Sequence, residues 1–353
     1  MLKKLSKQKI SDIITYGIVL VAFIVMQILI NAGQISSLFE GLMVPLCTYI
    51  ILAISLNLVV GVLGELSLGH AGFMCVGAFT SAFFSKCMQD TITNSIVRFL
   101  IALLIGIVAA AIFGLLIGIP VLRLNGDYLA IVTLAFGEII KNIVNVLFIG
   151  KDSKGFHFST KDVMALNMEP DGKVIVNGPQ GITGAPKDAT FFIGFILVLI
   201  TLFIVLNLIH SRDGRAIMAI RDNRIAAESI GINITKYKLM TFTISAAMAG
   251  AAGVLYGHNL SNLTANTNNF GYNMSINILV FVVLGGIGNI RGSIISAVVL
   301  TLLPELLRGL SDYRMLIYAI VLIVMMLFNW APKAIEWREK YLSFKKNKKE
   351  AVK

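Results

Sequence analysis

Residues 239–290 contain no Asp, Glu, Lys or Arg. A charge-free apolar run of about 18 residues is already a candidate transmembrane helix, and this one holds at least two. The rest of the chain agrees. It is 57% hydrophobic and 14% charged, whereas soluble globular domains are about 25% charged. A length of 353 residues would by itself suggest two soluble domains, but the apolar runs overrule that prior. The expected fold is an all-α polytopic membrane protein of about ten transmembrane helices, near 14–34, 41–61, 66–85, 99–119, 128–149, 190–209, 239–257, 275–290, 293–309 and 315–331. Gly interrupts 66–85 and the pair flanking residue 290, so broken helices are expected there.

Charge placement orients the spans. Of 30 Lys and Arg, four lie in residues 1–9, six in 212–238 and eight in 333–353, while 151–189 balances five basic against five acidic residues. Basic segments stay on the cytoplasmic side. Both termini and 212–238 are therefore expected inside, and 151–189 outside. Ten spans satisfy all three placements. The basic N-terminus MLKKLSKQK precedes an apolar run with no small-residue cleavage site, so an uncleaved first span is expected. Clustering at membrane flanks also turns the net charge of +11 away from a nucleic-acid partner. The tail after Lys333 is expected to lie on anionic lipid.

The chain does not read as an enzyme. Cys47, Cys75 and Cys87 have no metal or CxxC spacing and read as small packing residues. His70, His157, His210 and His258 are scattered, and there is no phosphate-binding loop, GxSxG or HExxH. No cofactor is expected. If transport needs ATP, other subunits must hydrolyse it.

The segment 212–238, RDGRAIMAIRDNRIAAESIGINITKYK, is the polar exception. Ser211 or Asp213 can cap a helix. Ile217, Ile220, Ile225, Ala227 and Ile230 recur near helical spacing opposite a charged face, and Gly231 stands where a left-handed C-cap falls. An amphipathic helix over 214–231 is expected, either lying on the membrane surface or seated in a groove of a cytoplasmic partner.

Ala226-Ala227-x-x-x-Gly231 resembles the coupling loop of ABC-importer permeases, and GRAIMAIRDNRIAAESIGINITKYKL resembles the LivM-type permeases of branched-chain amino-acid importers. Further matches follow in order: GELSLGHAGFMCVGAF (64–79), RLNGDYLAIVTLAFGEIIKN (123–142), NGPQGITGAP (177–186), SAAMAGAAGVLYG (245–257) and VVLGGIGNIRGSIISAVVLTLLPELLR (282–308). The resemblance covers about 40–310. Two departures stand out. Arg224 takes a position that is commonly Glu in the family, the classical loop's Glu would fall at Ile225 with Glu228 the next acid along the chain, and the loop between Gly150 and Asn177 is long.

The resemblance implies one membrane subunit of an ATP-driven importer. Its partners would be a second homologous permease, two cytoplasmic ATP-binding subunits and an extracytoplasmic substrate-binding protein. It implies a multi-pass inner or plasma membrane location. The chain divides into a basic cytoplasmic N-terminus (1–12), a permease domain (13–332, with external loop 150–189 and coupling loop 211–238) and a basic tail (333–353). The ATPase-coupling residues would be Arg215, Arg221, Asp222, Arg224, Ala226, Ala227, Glu228 and Gly231. Leu, Ile and Val are the expected substrates; relatives with similar motifs carry urea, short amides or other amino acids. A self-sufficient secondary transporter and a non-conducting anchor are the alternatives from other classes. The first would need a clearer chain of intramembrane ionisable residues.

Candidate path residues come from the breaks. Gly61, Gly64, Gly69 and Gly72 make GELSLGHAGF a poor continuous helix, and Gly-rich breaks mark discontinuous spans. A helix restarting near Ser67 would aim free N–H groups inward, toward a substrate carboxylate. Residues 285–293 (Gly285, Gly286, Gly288 and Asn289 among them) form the second break. Ser67, Gly69 and His70 line the path on this reading; as packing glue between helices they would do equally well. Glu138 falls mid-span, with Lys141 placed to pair with it on one helix face, either structurally or lining the path. Glu305–Arg308 repeats that spacing near a span end. Glu65 and Arg123–Asp127 fall at cytoplasmic turns. NGPQGITGAP reads as a turn entering the sixth span or as a docking surface for the binding protein.

Overall fold

The computed structural model describes residues 7–33, 36–122, 127–170, 172–310 and 313–330. The tail 333–353, residues 1–6 of the basic N-terminus and 123–126 of the Arg123 turn lie outside the described residues. Each of the ten apolar segments carries a helix: α1 (Lys7–Asn31), α2 (Ser37–Asn57), α3 (His70–Cys87), α4 (Ser95–Val121), α5 (Asp127–Val146), α6 (Phe191–His210), then α9 (Ile234–Gly257), α11 (Tyr272–Gly285), α12 (Ile290–Leu306) and α13 (Arg314–Trp330). The polar loop between α6 and α9 forms α7 (Arg212–Asp222) and α8 (Arg224–Ser229), and α10 (Thr267–Phe270) is a single turn. Among the described residues, six helical segments are long and apolar enough to cross a membrane, including Phe39–Leu63, Ser95–Val121 and Ile234–Gly257.

The core forms around α9, which packs on α2, α3 and α4. Small residues permit this. A methyl on Gly250 would lie 2.4 Å from Cβ of Ala110 on α4, the close approach by which small residues drive helix association where lipid removes the hydrophobic drive. By contrast α1 runs along the periphery, with most of its apolar side chains exposed.

The expectation of an all-α chain needs one correction. Between α5 and α6, β1 (Phe148–Asp152) pairs antiparallel with β2 (Gly155–Ser159) and with β3 (Lys173–Asn177), with a bulge between Ile149 and Gly150. Downstream, β4 (Ile182–Thr183) pairs with β5 (Asn262–Leu263). These strands are five residues long or fewer, shorter than a span needs, and their edges offer backbone groups that only an aqueous layer can satisfy. NGPQGITGAP supplies β4 and the turn before it, with positive φ at Gly178, Gly181 and Gly184. A bidentate ion pair clamps this layer to the helices. Arg98 Nε and Nη2 donate to Asp188 Oδ2 (2.9 Å) and Oδ1 (2.6 Å), with both side chains buried. Nearby, the Ser85 hydroxyl and His258 Nε2 share a hydrogen bond of 2.8 Å.

Candidate functional site

The loop between α6 and α9 is built by caps. Ser211 is extended, and its Oγ accepts from Gly214 N (3.0 Å), starting α7. Asn223 leaves the helix (φ −156°, ψ 103°) and its side chain accepts from Ala226 N, starting α8. Gly231 turns the chain with φ +87°, and Asn233 caps α9. The single helix expected over 214–231 is therefore two short helices hinged at Asn223, because an Asn side chain satisfies free N–H groups better as a cap than within a helix. The expected apolar stripe divides as well. Ile217, Ile220 and Ala227 are buried, Ile220 and Ala227 packing with Ile234. Ile225 and Ile230 are 81% and 75% exposed. Around them Arg215, Arg221, Asp222, Arg224, Ala226, Glu228 and Gly231 are exposed, so charged groups surround two bare isoleucines.

Beneath α7 lie the two glycine breaks, and the fold brings them together. α2 continues through a π-helical turn (Leu58–Leu63) to Gly64, which has φ +81°; the chain then runs without regular structure to Gly69, and α3 begins at His70. A methyl on Gly61 would lie 2.3 Å from Gly288 N, and one on Gly285 2.3 Å from the Gly292 carbonyl carbon. Backbone thus packs on backbone across both breaks. Asn57, missed in the sequence, joins them: its Oδ1 accepts from Gly288 N (2.9 Å) and its Nδ2 donates to Ser293 Oγ (2.8 Å). Its signal was a lone amide inside the run SLNLVVGV, where a polar side chain must find a partner helix. Asn289 caps α12.

Two cationic side chains tie the polar loop and the start of α9 to this junction. Arg221 Nη1 donates to the Gly61 carbonyl (3.0 Å), while its Nε and Nη2 bind Asp222 Oδ1 (3.0 and 2.8 Å). Lys238, buried in the first turns of α9, forms an ion pair with Glu65. Glu65 is thereby bound within the chain.

The expected path residues fall into two groups. Ser67, Gly69 and His70 are enclosed. The Ser67 hydroxyl is fully buried without a hydrogen-bond partner, and a methyl on Gly69 would strike the Thr133 carbonyl oxygen at 2.2 Å. The ring of His70 meets Ser55 Oγ at 2.7 Å. The N–H groups at the restart of α3 are also occupied in part: Ala71 N donates to Ser275 Oγ (3.1 Å) and Leu68 N to Thr133 Oγ1 (3.0 Å). Glu138, the second group, is partly open. It pairs with Lys141, and its Oε1 accepts from Tyr272 N (2.8 Å), capping α11. Lys141 also reaches Thr267 Oγ1 at 3.2 Å. The expected Glu305–Arg308 pair forms at 3.0 Å.

A bundle of apolar helices with a polar, amphipathic loop seated on a helix break has the architecture of a transport permease. Residues 37–328 match the family described as the permease component of the branched-chain amino acid transport system, and the chain belongs to that family. It is 36% identical over 296 residues to the high-affinity branched-chain amino acid transport system permease protein LivM of Salmonella typhimurium, covering 81% of this chain and 67% of that protein. The permease LivH of the same organism is 25% identical over 79% of this chain and 89% of its own length. The fructose import permease protein FruG of Bifidobacterium longum is 25% identical over 94% of both chains. No solved structure matches. The chain is a permease of an ABC importer, a multi-pass protein of the inner membrane.

Proposed function

We propose that this chain crosses the membrane ten times with both termini cytoplasmic, and forms half of the translocation path for Leu, Ile and Val. A second homologous permease completes the path. Two cytoplasmic ATP-binding subunits bind and hydrolyse the ATP, and an extracytoplasmic binding protein delivers the amino acid to the external layer at 150–189. No cofactor resides on this chain. Residues 1–12 and 333–353 flank the permease domain on the cytoplasmic side.

The observation that carries this reading is the double tether from loop to breaks, Arg221 to the Gly61 carbonyl and Lys238 to Glu65. Exposed Ile225 and Ile230, ringed by Arg224 and Glu228, suit a groove on an ATPase; an amphipathic helix laid in such a groove is a recurrent mode of recognition. When the ATPases close, α7 moves as a rigid body. Arg221 then draws on Gly61, and the glycine contact passes the displacement to Gly288 and α12. Apart from the Asn57 carboxamide, the Gly61–Gly288 contact is backbone on backbone, so the junction can hold two discrete packings, as switching elements require.

The test is to solubilise a tagged chain mildly, identify its companions by mass spectrometry, and measure leucine uptake by the reconstituted assembly. Two ATPases, a second permease and ATP-dependent uptake competed by isoleucine and valine are expected. A chain that emerges alone and moves solute without ATP would overturn the reading.

A further inference from the structure

A crevice of about 260 Å³ opens beside the start of α11, lined by Asn268, Asn273, Ile276 and Asn277. Asn273 and Asn277 stand one helical turn apart, and Asn273 Nδ2 donates to Asn268 Oδ1 at 3.0 Å. The opposite side of α11, with Ser275, Ile278 and Val282, is buried in the core; the asparagine side is open.

Depth makes this arrangement informative. Tyr272 N is bound by Glu138, and Glu138 stands eleven residues along α5 from its start at Asp127 (138 − 127). At 1.5 Å per residue that is about 17 Å, roughly the middle of a hydrocarbon layer about 30 Å thick. Three carboxamides at that depth cannot face lipid without leaving donors and acceptors unpaired. They must face water or another polar surface.

The geometry points to this crevice as one wall of the substrate site, binding the backbone of a zwitterionic aliphatic amino acid. The inference rests on the permease reading and assigns residues to it. A carboxamide donates from Nδ2 and accepts at Oδ1, so the asparagines can hold a carboxylate and an ammonium at once without fixing either charge. Ile276, 42% exposed between them, offers an apolar surface to an aliphatic side chain. Glu138 and Lys141, paired with each other, hold Tyr272 N and Thr267 Oγ1, the chain neighbours of Asn273 and Asn268. Neutral hydrogen bonds without a fixed counter-charge hold a zwitterion weakly, which suits a path that must release what it receives. The second permease supplies the facing wall.

Two measurements on the assembled importer test the assignment. First, in proteoliposomes, N273L/N277L is expected to lower the leucine moved per ATP hydrolysed by about tenfold or more, with N277Q restoring most of it; the size follows from losing one to two net hydrogen bonds. Second, in a C87S background (Cys47 and Cys75 are buried), N277C is expected to react with a charged, membrane-impermeant thiol reagent, and leucine-loaded binding protein plus ATP to slow that reaction. L104C, on an exposed apolar face of α4, should stay unlabelled. An unchanged leucine-to-ATP ratio, or an N277C as inert as L104C, overturns the proposal. If the double leucine variant does not assemble, the labelling result decides alone. A wild-type assembly that moves no amino acid defeats the proposed substrate instead, while labelling of N277C still reports whether this wall is wet.

Discussion

The two ends of the bundle are held together by opposite means. At the end that carries the short strands, Arg98 and Asp188 form a buried bidentate pair, backed by Ser85–His258 and a paired sheet. At the end that carries α7, glycine backbones touch across two broken helices, with Asn57, Arg221 and Lys238 as separate ties. Several interlocked polar contacts hold one geometry. Bare backbone contact with single ties tolerates displacement. On the proposed mechanism, the yielding contact lies beside α7 and its rigid counterpart at the layer of short strands.

Each prediction sharpens or breaks that contrast. The largest effect is expected at the glycines: Gly61→Val or Gly285→Val places side-chain atoms inside the opposing backbone, which should abolish leucine uptake while the external layer stays folded, read by uptake and by limited proteolysis of 150–189. Next, Arg98→Ala leaves Asp188 buried without its partner, at a cost of about 3–5 kcal/mol. Thermal denaturation should shift strongly downward, and R98A/D188A should recover part of the loss. An unshifted midpoint would mean that the strand layer is not the rigid end. Arg221→Ala removes one tie of several, so the complex should assemble normally. The leucine moved per ATP should fall by about tenfold, one hydrogen bond to a charged group. Equal ratios in the two proteins would remove Arg221 from the coupling route.

The smallest effect is a pH dependence. Burial would raise the pKa of Asp152, but backbone N–H groups of Glu169, Lys154 and Gly155 and the ring of His157 hold the carboxyl below its ordinary value. Its ionised form is thus favoured by folding. That stability is complete above the unfolded value near 3.8 and is lost as pH falls through the lower folded value. Hydrogen exchange in 148–177 should rise at acid pH in wild type, and Asp152→Asn should flatten the response.

Much of this was legible in the chain. All ten apolar segments became helices, both glycine breaks fell where Gly clusters, and Glu138 met Lys141 at its helical spacing. The polar loop between α6 and α9 was legible in place but not in shape. Asn223 was counted as one more polar residue of a helix, and only its cap geometry revealed the hinge. The short strands were hidden because β1 and β3 lie 20 residues apart and each is too brief to show a period. The partners of Arg98, Asn57 and Arg221 lie 90, 231 and 160 residues away, and no local pattern specifies such pairings.

The sequence alone determined that this chain lives in a bilayer, that ten apolar segments fold as helices, and the family. Those properties follow from transfer energies and charge, which add along the chain residue by residue. Only the tertiary structure decided that the two glycine breaks meet, that Ser67 and His70 are sealed while Asn268 and Asn277 are exposed, and that Arg221 reaches a carbonyl inside the bundle. Those outcomes depend on how closely helix backbones can approach, a property of pairs of surfaces that no single segment carries.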